Sequence, residues 1–290
     1  MSNPVKRIAA IHDLSGFGRS SLTVVIPIVS TMGIQVCPLP TALLSTHTSE
    51  FKNYHMKDLT EDMVGIINHW QKLEIEFDAI YSGFLGSPGQ IKVVSKFIKE
   101  FKTNSNFVVV DPVMGDDGST YATIGNEMIL GMRELIKSAN IITPNLTEAA
   151  FLLDEPQPEK MDTDKIKKWA RRLSEEGPSI VIITSVPLPD ENEMTSVIAY
   201  DRETDRFWQV KCTYIPAYFP GTGDIFTSVI TGCLLQGDSL PIAMDRAVQF
   251  VSLAIHASYG HKFPLREGVL LERVLGSLRN PVSMSTFQLF

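Results

Sequence analysis

The sequence predicts an α/β fold with a mainly parallel central sheet, because short apolar runs alternate with amphipathic helical patterns along the chain. The runs at 108–110 and 180–183 are apolar throughout, as expected for strands that are buried on both faces of a sheet. Two later runs, 195–200 and 206–211, are separated by a polar turn and predict an antiparallel hairpin at the sheet edge.

The elements follow one another in regular βαβ order. The short, apolar, Val/Ile-rich runs predict strands at 7–12, 34–39, 79–82, 107–111, 140–143 and 179–184. The amphipathic patterns between them predict helices at about 20–32, 59–72, 88–101, 126–138 and 163–175, and the last third adds helices at 225–236, 242–258 and 267–278. The loop at 154–162 contains two prolines but is too short and central to divide the chain, so we expect one domain over residues 1–290.

Composition narrows the possible functions. The 290 residues carry a net charge of −7 and no Lys/Arg block, which disfavours nucleic acid as a partner. No stretch of about 18 apolar residues predicts a membrane span, and the N-terminus lacks the long apolar run of a signal peptide. The three cysteines are widely scattered and suit a reducing compartment, so we expect a cytoplasmic protein.

The most informative stretch is PGTGDIF at 220–226, which an apolar helical pattern follows. Its two glycines allow a tight turn with close approach of a ligand to the backbone, and the N-terminus of the following helix favours anions. Asp224 lies in the first helical turn, where a carboxylate can accept a proton from an attacking hydroxyl. An ordinary capped helix start explains the same spacing equally well.

Polar residues also follow each of the six predicted strands, where ligands bind in an open α/β sheet. Each cluster alone is compatible with a strand end or a helix cap, whereas six in series favour a ligand site. A dinucleotide fingerprint is disfavoured because Ser21 stands where the third glycine after Gly16 and Gly18 is required, and no P-loop motif occurs. The clusters lie at 12–19, 45–48, 82–87, 111–118, 143–148 and 184–185.

Three motifs in order, DPVMGD at 111–116, TPNLTE at 143–148 and GTGD at 221–224, closely resemble those of the ribokinase-like vitamin kinases, most of all the pyridoxal/pyridoxine/pyridoxamine kinases. The resemblance spans about residues 8–257 and implies a three-layer α/β/α sandwich. It also implies transfer of the γ-phosphoryl group of ATP to the 5′-hydroxymethyl group of a B6 vitamer, in pyridoxal 5′-phosphate salvage. Mg²⁺ and a homodimer are further implications, while a requirement for a monovalent cation stays open.

The resemblance also implies roles for individual residues. Asp224 would be the general base, and the backbone amides of Gly221, Thr222 and Gly223 would form the anion hole for the transferred group. Two acids would hold Mg²⁺ directly or through water, Asp116 and Glu148. The residues implied near the nucleotide are Asn145, Thr184, Thr222 and Gly223, and those implied near the vitamer are Asp13, His47, Thr48, Phe84 and Asp111.

The N-terminal pocket departs from the family pattern. Asp13 stands where pyridoxal kinases commonly have Ser, and the sequence from Asp13 to Gly18 instead resembles the hydroxymethylpyrimidine kinases of thiamin synthesis. An aspartate here would pair with a protonated pyridine nitrogen or a 4′-amine, which would favour pyridoxamine. Phe84 replaces a frequent Tyr, and His47 fits a pocket residue or a hydrogen-bonded structural histidine equally well. Two alternatives therefore stay open: a hydroxymethylpyrimidine kinase, and a non-catalytic nucleotide- or vitamer-binding sensor on the same fold.

Overall fold

A ten-stranded sheet forms the centre of the protein, in a computed structural model that describes residues 4–156, 162–188, 194–279 and 285–290. Two further short strands, β6 and β7, pair with each other in a small separate hairpin. In chain order the strands are β1 (Arg7–Ser15), β2 (Gln35–Leu44), β3 (Met56–Asp58), β4 (Ala79–Ser82), β5 (Phe107–Val110), β6 (Gly115–Asp116), β7 (Ser119–Thr120), β8 (Ile141–Ile142), β9 (Ile180–Pro187), β10 (Met194–Asp201), β11 (Arg206–Thr213) and β12 (Phe287–Leu289).

The sheet order confirms a mainly parallel sheet. Six strands lie parallel in the order β9-β8-β5-β4-β1-β2, and β3 pairs antiparallel with β2 at one edge. The predicted hairpin is β10 and β11, which continue the sheet antiparallel beyond β9. Its outer strand is covered in turn by the short β12, so the hairpin lies one strand inside the edge.

Helices cover both faces of the sheet and complete the three layers. The five helices between residues 60 and 175 bury their apolar sides in one core, and the helices at 22–31, 222–235 and 240–258 bury theirs in a second core on the other face. Within the described residues no helix is both long and apolar enough to cross a bilayer. The helices are α1 (Leu22–Thr31), α2 (Thr60–Lys72), α3 (Pro88–Phe101), α4 (Asn126–Ile136), α5 (Leu146–Leu153), α6 (Thr163–Glu175), α7 (Thr222–Leu235) and α8 (Leu240–Ser258).

Some predicted elements differ from the structure. The helix expected at 267–278 is instead a series of 3-10 turns at Leu265–Glu267, Leu271–Arg273 and Leu275–Arg279. Gly268 interrupts an α-helix there, because its φ of +81° lies outside the helical range. Helix α5 and strands β3, β6, β7 and β12 are too short to give a periodic signal. Of the predicted loop at 154–162, residues 157–161 lie outside the described part.

The topology brings the predicted site residues to one edge of the sheet. After β1 the chain forms β2 on one side, and β4, β5, β8 and β9 then follow on the other. The strand order therefore reverses at β1, and ligands of open α/β sheets bind in the crevice at such a reversal. Helix α7 packs against α1 and contacts β4, so its N-terminus lies at this crevice.

Candidate active site

The turn before α7 is tightly packed against the loop that follows β1. Gly221 is the N-cap of α7 and has a φ of +83°. A Cβ added to Gly221 would lie 2.2 Å from the backbone oxygen of Arg19, so the two segments approach more closely than any other residue type allows. The Thr222 hydroxyl donates to the Phe219 carbonyl at 3.2 Å. Asp224 follows in the first helical turn, as the sequence predicts.

Two groups approach the two oxygens of the Asp224 carboxylate. The backbone N–H of Ser21 donates to Oδ2 at 2.8 Å, and Nδ1 of His12 lies 3.7 Å from Oδ1. The Asp224 side chain is 13% exposed. Burial, with the nearby charges of Asp111 and Asp13 adding to it, raises the pKa of Asp224 to about 8. A carboxylate with a pKa near neutrality suits a general base.

His12 lies in the predicted polar cluster at 12–19, but sequence reasoning assigned it no role in this site. Its imidazole is fully buried and contacts the Tyr81 ring edge-on, with 4.3 Å between the ring centroids. Burial lowers the pKa of His12 to about 3, so the ring is neutral. Neither ring nitrogen has a hydrogen-bond partner among the residues that the structure describes. Gly83 makes room for the ring, since a Cβ there would lie 2.3 Å from Nδ1. The available signal was a histidine ending an otherwise apolar strand.

Glu148 and Asp116 form an acidic cluster on the other side of the crevice, and Asp111 is near enough to act on the charge of Glu148. Glu148 is 4% exposed, and its two carboxylate oxygens accept the backbone N–H groups of Met114 at 3.0 Å and Asn145 at 2.9 Å. Burial and the charge of Asp111 raise the pKa of Glu148 well above its usual value. Asp116 is half-buried, and burial raises its pKa as well. Each of these carboxylates therefore lies where a positive charge would be stabilised.

This donor set fits a hard divalent cation that keeps most of its water. The negative charges of two further carboxylates, Asp111 and Asp116, help to raise the pKa of Glu148. Each Glu148 oxygen already accepts one backbone hydrogen bond, which leaves one lone pair on each for water or metal. No three His, Cys, Asp or Glu side chains of the described residues converge as a ready-made ligand set. Mg²⁺ suits such a site, because it is usually held by one or two carboxylates, water and substrate phosphates.

Asp111 lies between the acidic cluster and the start of α7. The Thr143 hydroxyl donates to its Oδ1 at 3.1 Å, and the Thr227 hydroxyl donates to that of Thr143 at 2.9 Å. Its Oδ2 lies 3.9 Å from the position that a Cβ on Gly223 would occupy. Burial raises the pKa of Asp111 above its ordinary value. The structure thus brings Asp111 next to Gly223 and Asp224, while its predicted contact with a vitamer stays a prediction.

Asn145 and Thr184 lie together at the ends of adjacent strands, where they form a parallel bridge. The Asn145 side chain is the N-cap of α5 and forms a capping box with Glu148, and its amide nitrogen also donates to the Gly115 carbonyl at 2.8 Å. The asparagine amide is therefore occupied in holding the acidic cluster together. Thr184 is half-buried at the mouth of the crevice. The nucleotide contacts expected of both residues stay predictions.

The opposite wall of the crevice contains Asp13 and His47. Asp13 is 5% exposed and accepts the hydroxyl groups of Ser21 at 2.5 Å and Ser15 at 3.0 Å. Burial raises its pKa. Nε2 of His47 donates to the Arg266 carbonyl at 2.7 Å, so Nδ1 is the acceptor nitrogen of that ring. That Nδ1 is buried and has no hydrogen-bond partner in the described part of the chain.

Thr48 and Phe84 complete the residues that the sequence selected. Thr48 is exposed beside His47, and Phe84 is half-buried after β4, where its ring packs on the core formed by α2 to α6. Both lie in the loops after strands of the crevice, and their contacts with a vitamer stay predictions.

Comparisons with known proteins agree with this geometry. The model of the phosphomethylpyrimidine kinase family matches residues 26–269. A crystal structure of a candidate phosphomethylpyrimidine kinase from Bacteroides thetaiotaomicron, in a form with pyridoxal, is 55% identical with a TM-score of 0.96 and covers 99% of this chain and 100% of that one. The pyridoxal kinase of Lactobacillus plantarum is 28% identical with a TM-score of 0.85 over 94% and 96% of the two chains.

A relative with a different named activity matches over a similar length. The hydroxymethylpyrimidine/phosphomethylpyrimidine kinase of Bacillus subtilis is 28% identical over 256 residues, which are 87% of this chain and 83% of that protein. The resemblance to the ribokinase-like vitamin kinases is therefore confirmed. Because the family model matches most of its length, the chain belongs to the phosphomethylpyrimidine kinase family of that superfamily.

Proposed function

We propose that this protein is an ATP-dependent kinase that phosphorylates the 5′-hydroxymethyl group of a B6 vitamer. One observation carries the proposal: a buried carboxylate, Asp224, lies in the first turn of a helix at this crevice, and the first N–H groups of a helix have no intrahelical partner. The 55% identical relative with pyridoxal and the pyridoxal kinase of Lactobacillus plantarum support this choice of substrate.

The geometry supports an in-line transfer with a single base. Asp224 accepts the proton of the vitamer hydroxymethyl group as its oxygen forms the new bond to the γ-phosphorus. The bond from that phosphorus to the β–γ bridging oxygen breaks, and ADP leaves. The backbone N–H groups of Gly221, Thr222 and Gly223, with the dipole of α7, stabilise the negative charge on the transferred group. Catalysis of this kind depends mainly on positioning and charge stabilisation.

Asp116 and Glu148 would hold Mg²⁺, with water and the nucleotide phosphates completing its ligands. The ion supplies positive charge that neutralises the charge developing on the phosphate oxygens. Glu148 is held rigidly for this purpose by the backbone N–H groups of Met114 and Asn145. Asn145 and Thr184 would line the nucleotide side of the crevice.

Asp13, His47, Thr48 and Phe84 would form the vitamer side of the crevice. The buried Asp13 carboxylate favours a cationic partner, which a protonated pyridine nitrogen or a 4′-amine supplies, so we expect a preference for pyridoxamine. Nδ1 of His47 is an acceptor available to a donor on the vitamer. Asp13→Ser should therefore lower the kcat/KM for pyridoxamine more than that for pyridoxal. An unchanged ratio of the two kcat/KM values would refute this role of Asp13.

A hydroxymethylpyrimidine kinase is the second candidate. Its support is the segment from Asp13 to Gly18, together with the name of the matching family and of the Bacillus subtilis relative. Both reactions phosphorylate a hydroxymethyl group on an aromatic nitrogen heterocycle, so the same base and anion hole serve either. A sensor without catalysis is disfavoured, because a binding protein has no need of a base with a raised pKa beside an anion hole.

The deciding experiment measures ADP release with Mg·ATP and pyridoxal, pyridoxine, pyridoxamine or hydroxymethylpyrimidine as acceptor. We expect turnover of at least one B6 vitamer, and Asp224→Ala should lower kcat by about 10³-fold or more while ATP still binds. Asp164→Ala is the matched control, since it removes an exposed acid from the first turn of α6. Turnover of hydroxymethylpyrimidine alone would instead assign the protein to thiamin synthesis. No turnover of any acceptor would contradict both kinase assignments.

Two further properties are proposed from the family resemblance. A homodimer predicts twice the mass of the 32.2 kDa chain in light scattering. Omission of Mg²⁺ should abolish turnover, and exchange of Na⁺ for K⁺ tests whether a monovalent cation is needed.

A further inference from the structure

Ser21 adopts a backbone conformation that residues with a side chain rarely adopt. Its φ of 51° and ψ of −132° match the second position of a type II′ turn, where glycine is favoured. Ser21 is also the residue that precedes α1, although its side chain makes no capping hydrogen bond to that helix. The sequence predicted that this helix would begin at residue 20, so the strained turn interrupts the expected start. Strain of this kind persists only where surrounding contacts hold the residue in place.

The contacts of Ser21 link two carboxylates of the crevice. Its hydroxyl donates to Oδ1 of Asp13 at 2.5 Å, and its backbone N–H donates to Oδ2 of Asp224 at 2.8 Å. With the backbone in this unusual conformation, the Ser21 N–H points at Asp224. The buried hydrogen bond to Asp13 is the side-chain contact that opposes its relaxation, because Asp13 is itself fixed on β1.

We propose that Ser21 is a positioning residue that uses its bond to Asp13 to hold a strained peptide whose N–H orients the Asp224 carboxylate. The proposal rests on the function of Asp224 as general base proposed above. The proposal explains why the strained backbone is kept: the Ser21 N–H fixes Oδ2 of Asp224, so that Oδ1 is free to accept the proton of the substrate. It also makes Asp13 support the base in addition to lining the vitamer pocket.

Several groups face Asp224 and set the background against which this contact acts. They are His12 and Asp13 from β1, Tyr81 from β4 and Asp111 after β5. The two acids raise the pKa of Asp224, whereas the Ser21 N–H lowers it by stabilising the ionised form. Variants of Asp13 change the charge and the hydrogen bond together. Ser21→Ala and Ser21→Gly both leave these four side chains in the chain and both remove the hydroxyl from Asp13, so the comparison between the two isolates the contact of the N–H with Asp224.

Two substitutions of Ser21 separate the hydroxyl from the backbone. Ser21→Ala removes the bond to Asp13 and keeps the strain, so the peptide should relax and withdraw its N–H from Asp224. Ser21→Gly also removes the hydroxyl, but glycine adopts the turn without strain, so the N–H should stay in place. Ser20→Ala is the matched control, since the Ser20 hydroxyl is buried next to this turn and has no hydrogen-bond partner within the described residues.

There are two readouts. The first is kcat/KM at pH 7 with the best acceptor. The second is the pKa of Asp224, measured by NMR titration of protein labelled with ¹³C at the aspartate carboxyl carbon. Asp224→Asn identifies the resonance. We expect Ser21→Ala to lose at least about tenfold in kcat/KM and to raise the pKa of Asp224 by roughly 0.5–1 unit. Ser21→Gly should have a kcat/KM and an Asp224 pKa close to those of the wild type, and Ser20→Ala should match the wild type in both.

Equal losses in Ser21→Ala and Ser21→Gly would overturn the proposal, because the hydroxyl alone would then matter. Wild-type behaviour of Ser21→Ala would overturn it as well. The titration keeps this test separate from that of the proposed function: if the wild type phosphorylates none of the acceptors, the function fails, while the pKa comparison still decides whether Ser21 holds Asp224.

Discussion

The two glycines of the Gly-Thr-Gly turn should respond to the same substitution in opposite ways. Gly221 has a positive φ, and a Cβ there would lie 2.2 Å from the Arg19 backbone oxygen. Gly223 lies inside α7, and the atom nearest to its added Cβ is Oδ2 of Asp111 at 3.9 Å. We therefore expect that the backbone needs a glycine at position 221 in order to fold, whereas the glycine at position 223 leaves space for a ligand.

The expected magnitudes follow from these positions. Gly221→Ala adopts a left-handed conformation at a cost of about 1–2 kcal/mol, and the contact with Arg19 forces a further shift of two backbone segments. Gly223→Ala meets no steric conflict and gains helix propensity, worth up to about 1 kcal/mol. Its methyl group, however, occupies the space between Asp111 and the anion hole. We expect it to lower kcat by about 10²-fold, as the loss of one anion-hole donor does.

The measurement is thermal unfolding together with kcat for each variant. Gly65→Ala is the control, because Gly65 lies within α2 and a Cβ there meets nothing within 4 Å. Gly221→Ala should unfold at a lower temperature than the wild type, and Gly223→Ala at the same temperature or higher. If Gly223→Ala destabilised the protein as much as Gly221→Ala, both glycines would serve the backbone and the assignment of space to a ligand would be refuted.

Three further predictions concern ionisation and metal. Asp224 must be ionised to accept a proton, and its pKa is about 8. The value of kcat/KM should therefore rise about tenfold per pH unit below pH 8 and level off above it. A profile that is flat from pH 6 to 9 would contradict the role of Asp224 as base. Since the pKa of Asp224 is higher in the folded than in the unfolded chain, the folded state binds the proton more tightly and loses stability as pH rises from about 4 to about 8. Asp224→Asn should therefore unfold at a higher temperature than the wild type at pH 8, with a difference that shrinks towards pH 4.5; equal differences at both pH values would argue against the raised pKa. Glu148→Gln should raise the Mg²⁺ concentration needed for half-maximal turnover by at least about tenfold. Glu127→Gln, which changes an exposed residue on α4, should leave that concentration unchanged. If both variants needed the same Mg²⁺ concentration, Glu148 would not belong to the metal site.

The sheet, its parallel order and most of the helices could be predicted from the sequence, because the buried strands are apolar runs and the helices are amphipathic patterns of ten residues or more. The helices at 60–72 and 88–101 show this: their predicted bounds agree with the structure to within a residue. Strands β6 and β7 and the 3-10 turns after Gly268 are short and contain no continuous apolar run, so they depend on tertiary contacts that the sequence does not display.

The family resemblance selected acids that the structure brings to one crevice, but it did not reveal the contacts that support them. Asp224 and Glu148 lie in recognisable motifs, because a turn of glycines and a capping box each need particular residues at fixed spacing. Asn145 was expected near phosphate, and its side chain proved to be the cap that fixes Glu148. The motif predicts which residues meet, while hydrogen-bond geometry decides which of them remains free for a ligand.

Sequence reasoning assigned neither Ser21 nor His12 a role in the site, for a physical reason. A serine at the start of a predicted helix is an ordinary helix start, and only its φ of 51° shows that the chain is strained there. A histidine at the end of the predicted strand 7–12 becomes notable only once both ring nitrogens prove to be unpartnered within the described residues and one faces the base. Both residues lie against Asp224, which is more than 200 positions away in the sequence for each. Positioning of a base is a property of the folded crevice, and the ends of β1 and the start of α7 create it together.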